Sequence, residues 1–137
     1  MNPASIRIDS ALRECSFGDW DGCAWADIEG TDHARLDAWM HGWDTVKPPG
    51  GEALPEFAAR VQAVLDRMIG SDATSHVVVA HAGVLRTILC RVTGAPDTAA
   101  FNFAVPHAHV TAVMMHASPR AGSACGSLEW LNAYPPP

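Results

Sequence analysis

This 137-residue chain has no excess of positive charge. Nine lysines and arginines stand against fifteen aspartates and glutamates, a formal net charge of −6. A nucleic-acid binder usually presents a basic face, so that class is disfavoured, while a local positive pocket for a small anion is still allowed. No apolar run approaches the length of a membrane span. The opening residues, Met-Asn-Pro-Ala-Ser-Ile-Arg, contain no apolar stretch of the kind a secretory signal needs. The four cysteines, Cys15, Cys23, Cys90 and Cys125, form no C-x-x-C pair. They read as reduced thiols and not as a disulfide framework, and the expected location is cytoplasmic. Internal repeats and a dividing linker are also missing, and the length suits one domain. What is present is 48% hydrophobic residues, which excludes a disordered chain and suffices for a core of ordinary proportions.

Along the chain, Ile6 and Ile8 suggest a short extended piece, and residues 12–22 an ordered loop rich in glycine and aromatics. Residues 23–30 and 32–43 read as two short helices, with Ala34, Leu36, Trp39, Met40 and Trp43 at loosely helical spacing. Lys47-Pro48-Pro49-Gly50-Gly51 is a breaker. The clearest helix is 52–69, where Leu54, Phe57, Ala58, Val61, Val64, Leu65 and Met68 recur at steps of three and four. Residues 97–103 suggest a short helical piece. Residues 109–115 and 127–132 read as strands, with Ser118–Gly126 as the hairpin loop between them. The Tyr134-Pro-Pro-Pro tail is expected to fray.

Residues 77–86 are the most informative stretch. Val77-Val78-Val79-Ala80 reads as a buried strand that stops at His81. Ala82 and Gly83 turn the chain, residues 84–92 read as a helix, and Gly94 and Pro96 end it. A histidine at the carboxyl end of a strand, facing a helix start, lies where open α/β sheets bind ligands, and the N–H groups of such a helix start favour an anion. His81 alone suits a hydrogen-bonded core histidine. Its context favours a phosphate-handling role near neutral pH.

Glu14 stands between Leu12 and the Phe17-Gly18-x-Trp20-x-Gly22 loop. In such a setting it is either a solvated loop residue or a carboxyl held in place to act as a general acid. Glu52, after two glycines, suits stabilisation of a helix terminus. Arg13 and Arg86 are able to face an anion or to serve as ordinary surface cations. His107-x-His109, with His116 beyond, is a weak metal pattern without a third ligand at motif spacing.

Three ordered motifs carry a resemblance across residues 12–132. They are Leu12-Arg13-Glu14-x-x-Phe17-Gly18-Asp19-Trp20-Asp21-Gly22, Pro48-Pro49-Gly50-Gly51-Glu52, and Val78-Val79-Ala80-His81-Ala82-Gly83-Val84-Leu85-Arg86. Together they resemble the histidine phosphatase superfamily, the phosphoglycerate-mutase-like group, and most closely its α-ribazole phosphatase-type branch. The ending Trp130-Leu131-Asn132 is similar to the last strand of that group. The resemblance implies a three-layer α/β/α sandwich, over 1–137 as one domain. It implies phosphate-monoester hydrolysis through a phosphohistidine, without metal or other cofactor. Carried over by motif position, His81 stabilises the transferring phosphate, Glu14 protonates the leaving oxygen, and the backbone at Ala82 helps hold the phosphate, with Arg13 as a weaker phosphate contact.

The departures from the family pattern are specific. No Arg-His-Gly occurs in the chain, so the nucleophile that the family places on its first strand is missing. The expected fold is the family sandwich, N-terminally truncated, lacking its first strand, first helix and second strand. Its unpaired strand edges would invite a partner or a second copy. His76, His107 and His109 are the replacement nucleophiles open to suggestion, and none occupies a motif position. Ala53 stands where the family often has serine. Two functions therefore remain open: a hydrolase of a small phosphorylated metabolite, and a non-catalytic remnant or interaction domain. The aromatic residues of 23–50, Trp25, Trp39 and Trp43, either stack on a substrate ring or pack a small core.

Overall fold

A computed structural model describes residues 6–116 and 126–134 of the protein. The amphipathic pattern of the central segment forms helix α2 (Leu54–Ile69), which buries Phe57, Ala58, Val61, Val64 and Leu65. Helix α3 (Ala82–Thr93) packs against it. Phe57, Val61 and Leu65 of α2 meet Val84, Ile88 and Val92 of α3 in the main core. Gly94 ends α3 in the left-handed conformation, at φ 72°, which glycine adopts without a Cβ penalty. α3 starts two residues earlier than its apolar pattern suggests, because Ala82 and Gly83 form its first turn and not a separate bend.

The two helices expected over 23–43 are present as the two halves of α1 (Trp25–Gly42), which meet at a kink where Asp32 has non-helical backbone angles (φ −142°, ψ 34°). The bend has an identifiable cause. Asp32 accepts from Trp20 Nε1 at 3.0 Å and from Arg35 Nε at 2.7 Å. These bonds fix the side chain outside the helical ladder's own geometry. Trp20, Ile28 and Leu36 form a second, smaller core under the bend, with Phe17 and Trp39 at its margin.

Two 3-10 turns, Ser10–Leu12 and Gly18–Trp20, shape the loop predicted over 12–22, and a third spans Asp97–Asn102. Strands β1 (Val110–Met115) and β2 (Gly126–Ala133) pair antiparallel, as the patterns at 109–115 and 127–132 require. The hairpin loop between them, Cys125, the first five residues and the final prolines lie outside the described residues.

The strand expected at 77–80 is not formed. A strand exists through its pairing, and among the described residues the only ladder is β1 with β2. Residues 76–81 form no helix, turn or ladder. Their side chains still alternate. Val78 and Ala80 pack against the main core, whereas Val77 and Val79 are 93% and 92% exposed. The apolar run is therefore buried on one face only, and its other face and its backbone meet no partner among the described residues.

The start of α2 carries half of a capping box. Glu56 Oε2 accepts the N–H of Ala53 at 3.2 Å, while the N-cap Ala53 has no side-chain oxygen to return the bond. Ala53→Ser supplies that oxygen. It is expected to raise stability by about 0.5–1.5 kcal/mol, read as a higher urea midpoint at constant slope.

Candidate active site

The loop that carries Glu14 is tied to α2 by a single guanidinium. Arg60 Nε and Nη2 donate to the two carboxylate oxygens of Glu52, each at 2.7 Å. Its remaining N–H groups bind the carbonyls of Ala11, Arg13 and Glu14 at 2.7, 2.8 and 3.0 Å. The guanidinium also lies 4.6 Å from the centre of the Phe57 ring. Arginine offers five N–H donors, and all five have acceptors here. Both side chains are largely buried, with 14% of Arg60 and 10% of Glu52 exposed. Arg60 holds the Glu52 carboxyl below its ordinary value of 4.5. Glu52 thus serves the loop and not the α2 terminus, which begins two residues later.

A backbone-to-backbone contact fixes the same loop from the other side. Asp19 N–H binds Pro49 O at 2.8 Å and Glu52 N–H binds Ser16 O at 2.9 Å. Gly18 makes this approach possible. Its φ is +60°, and a Cβ there would lie 2.2 Å from Pro49 O. The two glycine-bearing motifs of the sequence are therefore two halves of one structure.

Within this frame the Glu14 carboxylate crosses to the first turn of α3. Oε2 accepts from Gly83 N–H at 3.0 Å, and Oε1 accepts from Cys15 N–H at 2.9 Å. The positive end of the helix thus faces an anionic side chain. Gly83 is required for the fit, because a Cβ on it would lie 2.2 Å from Glu14 Oε1. Cys15, beside Glu52 and Glu14, has its thiol pKa pushed up to about 11, chiefly by burial. A thiol held so firmly protonated is a packing group and not a nucleophile.

His81 is the N-cap of α3 and exposed, with its carbonyl accepting from Leu85 N–H at 3.1 Å. Glu14, Ala82, Gly83 and Arg86 line one cleft of about 240 Å³ together with Glu52. Arg13 is directed elsewhere. Its side chain is 59% exposed, and its guanidinium spends its contacts on Ser10 O and, at 3.8 Å, on Glu52. His76 binds Ser71 and Met68 O, and His109 binds His107 O, so these histidines are engaged away from the cleft. Among the described residues, no three His, Cys, Asp or Glu side chains gather as metal ligands. Arg60 and Phe101 are the site residues that sequence reasoning missed. Arg60 lies on the half-polar flank of α2, one turn past Glu56, and only the fold reveals what it faces.

The protein belongs to the histidine phosphatase superfamily, branch 1, whose pattern it matches over residues 1–121. It is 31% identical over 101 residues to the adenosylcobalamin/α-ribazole phosphatase of Escherichia coli K12, covering 73% of this chain and 50% of that protein. It is 30% identical over 92 residues to the glucosyl-3-phosphoglycerate phosphatase of Mycobacterium tuberculosis, covering 61% and 41%. Among solved structures it superposes on the α-ribazole phosphatase of Shigella flexneri with a TM-score of 0.82, at 25% identity, over 97% of this chain and 64% of that one. It also superposes on the mycobacterial glucosyl-3-phosphoglycerate phosphatase with inorganic phosphate, at TM-score 0.75, 26% identity, 95% of this chain and 66% of that one. The fold is therefore the phosphoglycerate-mutase-like α/β type, and the chain spans about half the length of the curated relatives it matches. No helix among the described residues is long and apolar enough to cross a membrane.

The Arg60 cluster predicts a stability change. Arg60→Met leaves Glu52 buried without its partner and is expected to cost about 3–5 kcal/mol in urea unfolding. Because Glu52 is depressed in the folded state, its contribution is present above the ordinary glutamate range and is lost as pH falls through the lower folded value. In Glu52→Gln, that part of the acid dependence of unfolding should disappear, leaving a flatter profile below pH 4.5. Gly83→Ala is expected to fold and to expel the Glu14 carboxylate. The Cys15 amide resonance should then shift in NMR, and an unmoved resonance would show that the carboxylate stays.

Proposed function

We propose that this chain handles small phosphate monoesters at the first turn of α3, with Glu14 and His81 as its reacting side chains. The observation that supports this most directly is the placement of Glu14, a loop carboxyl far away in sequence, on the Gly83 amide of the turn that follows His81. In this reading the Ala82 N–H and His81 hold equatorial phosphoryl oxygens, where charge accumulates during transfer. The phosphoryl group passes in line to a histidine acceptor, which the family's Arg-His-Gly strand would supply: an N–P bond forms as the ester P–O bond breaks, a proton on the Glu14 carboxyl passes to the departing oxygen, and water then cleaves the N–P bond to release phosphate. Arg13 adds positive charge near Glu52 and makes no direct contact in the cleft. The relatives' names span α-ribazole and glucosyl-3-phosphoglycerate phosphatases, so the family sets the phosphate chemistry and leaves the alcohol open.

A second reading rests on one sequence fact: no Arg-His-Gly stands in these 137 residues. Without that histidine, the phosphohistidine route lacks its acceptor within this chain. The chain then binds phosphate without turnover, or acts once another strand lies along 76–81, from a partner or a second copy. The exposed Val77 and Val79 support such pairing. The three free thiols among the described residues, Cys15, Cys23 and Cys90, suit a cytoplasmic setting.

Hydrolysis of p-nitrophenyl phosphate by the purified chain, beside its His81→Ala variant, separates the readings. The catalytic reading expects turnover that falls by orders of magnitude in the variant. Equal rates in both would remove His81 from the site, and a folded sample without turnover would establish the non-catalytic reading.

A further inference from the structure

Arg86 is the cation of the cleft that the phosphate reading leaves without a task. It lines the cleft together with Ala82 and Gly83, one turn further along α3. Side chains at i, i+3 and i+4 share a helix face, and each leans toward the helix N-terminus. Arg86 is therefore carried on the same face as the turn that holds the phosphate in that reading.

The guanidinium is fixed on one side only. Its Nε donates to Phe103 O at 3.0 Å, and its centre lies 5.2 Å from the Phe101 ring centre. Its two terminal nitrogens have no hydrogen-bond partner among the described residues. The carboxylates that line the cleft are already engaged. Each oxygen of Glu14 accepts a backbone N–H, and both oxygens of Glu52 are bound by Arg60. What the cleft leaves open is thus an oriented pair of cationic N–H donors, which matches the two oxygens of a planar carboxylate. Four residues of helix separate Ala82 from Arg86, a rise of about 6 Å. The cleft holds about 240 Å³, below the ~300 Å³ at which small-molecule sites begin. Those dimensions suit a short ligand with a phosphate at one end and a second compact anion at the other.

We propose that the terminal nitrogens of Arg86 bind a carboxylate on the alcohol part of the phosphate ester, which makes Arg86 the residue that selects among alcohols. The proposal rests on the phosphate-ester reading above and narrows it to acidic substrates. A guanidinium already held by Phe103 O and the Phe101 ring loses little freedom when the carboxylate arrives, so the charge-assisted bonds are kept as affinity. An uncharged alcohol leaves the same donors to water.

Calorimetric titration of the full chain with inorganic phosphate, propylphosphonate and 3-phosphonopropionate, at one ionic strength, tests it. The two phosphonates have carbon chains of equal length and differ in the terminal carboxylate. 3-Phosphonopropionate is expected to bind about tenfold more tightly than propylphosphonate. That ratio should fall towards one in Arg86→Met. Arg86→Lys keeps the charge without the fork and should lower the ratio to about threefold, which keeps the test informative even if Arg86→Met fails to fold. A ratio near one in the unaltered chain, or one that either variant leaves intact, overturns the carboxylate contact. Tighter binding of ethylenediphosphonate than of 3-phosphonopropionate would give the place to a second phosphoryl group and overturn it as well. The phosphate reading survives these outcomes if inorganic phosphate still binds. A folded chain that binds none of these ligands overturns both.

Discussion

Arg60 saturates its guanidinium with acceptors that belong to two otherwise separate pieces of chain. Two are the oxygens of Glu52, in the segment that leads into α2, and three are carbonyls of residues 11–14. An extended loop has backbone carbonyls that need partners when it packs against a core. No strand supplies them here, and a planar five-donor group does. The position of Glu14 follows from this. Its carbonyl is held by Arg60 on one side, while its carboxylate is held by the Cys15 and Gly83 amides on the other. A lysine, with three donors on a rotating ammonium, would satisfy fewer of these groups and fix none of their directions.

Two other constraints depend on that frame. The Gly18–Pro49 contact brings the aromatic loop onto the segment that carries Glu52, so Phe17 and Trp20 become the floor on which α1 lies. The bend at Asp32 then lets α1 follow that floor, with Trp20 Nε1 as the fastening. The aromatic side of the cleft and its acidic side are in this way products of one loop. A change that loosens the loop disturbs both.

Much of this was legible in the sequence. The period of α2, the stop at Gly94 and the two strand patterns each named their structure correctly, because each signal is local: a spacing, a turn residue, an alternation. Of the residues the resemblance picks out, Glu14 and Ala82 line one cleft, and His81 is not among its lining residues. Two things were not legible. The apolar run at 77–80 looked like a buried strand, yet burial and pairing depend on neighbours that no local pattern reveals. Nothing local marks Arg60, whose carbonyl acceptors lie more than forty residues away.

The extended segment before His81 has a consequence for how firmly that residue is placed. On its C-terminal side, the His81 carbonyl accepts the Leu85 amide and belongs to the ladder of α3. On its N-terminal side, the described chain offers no ladder at all. His81 is thus a joint between a rigid element and one anchored through the packing of Val78 and Ala80 and, further back, the His76 ring on Ser71 and Met68 O. Any strand that pairs with 76–80 restricts the imidazole from the free side. By reciprocity, any anion that the imidazole holds strengthens that pairing by the same free energy. On the reading that another strand pairs there, pairing and ordering of the histidine are two readouts of one linked equilibrium.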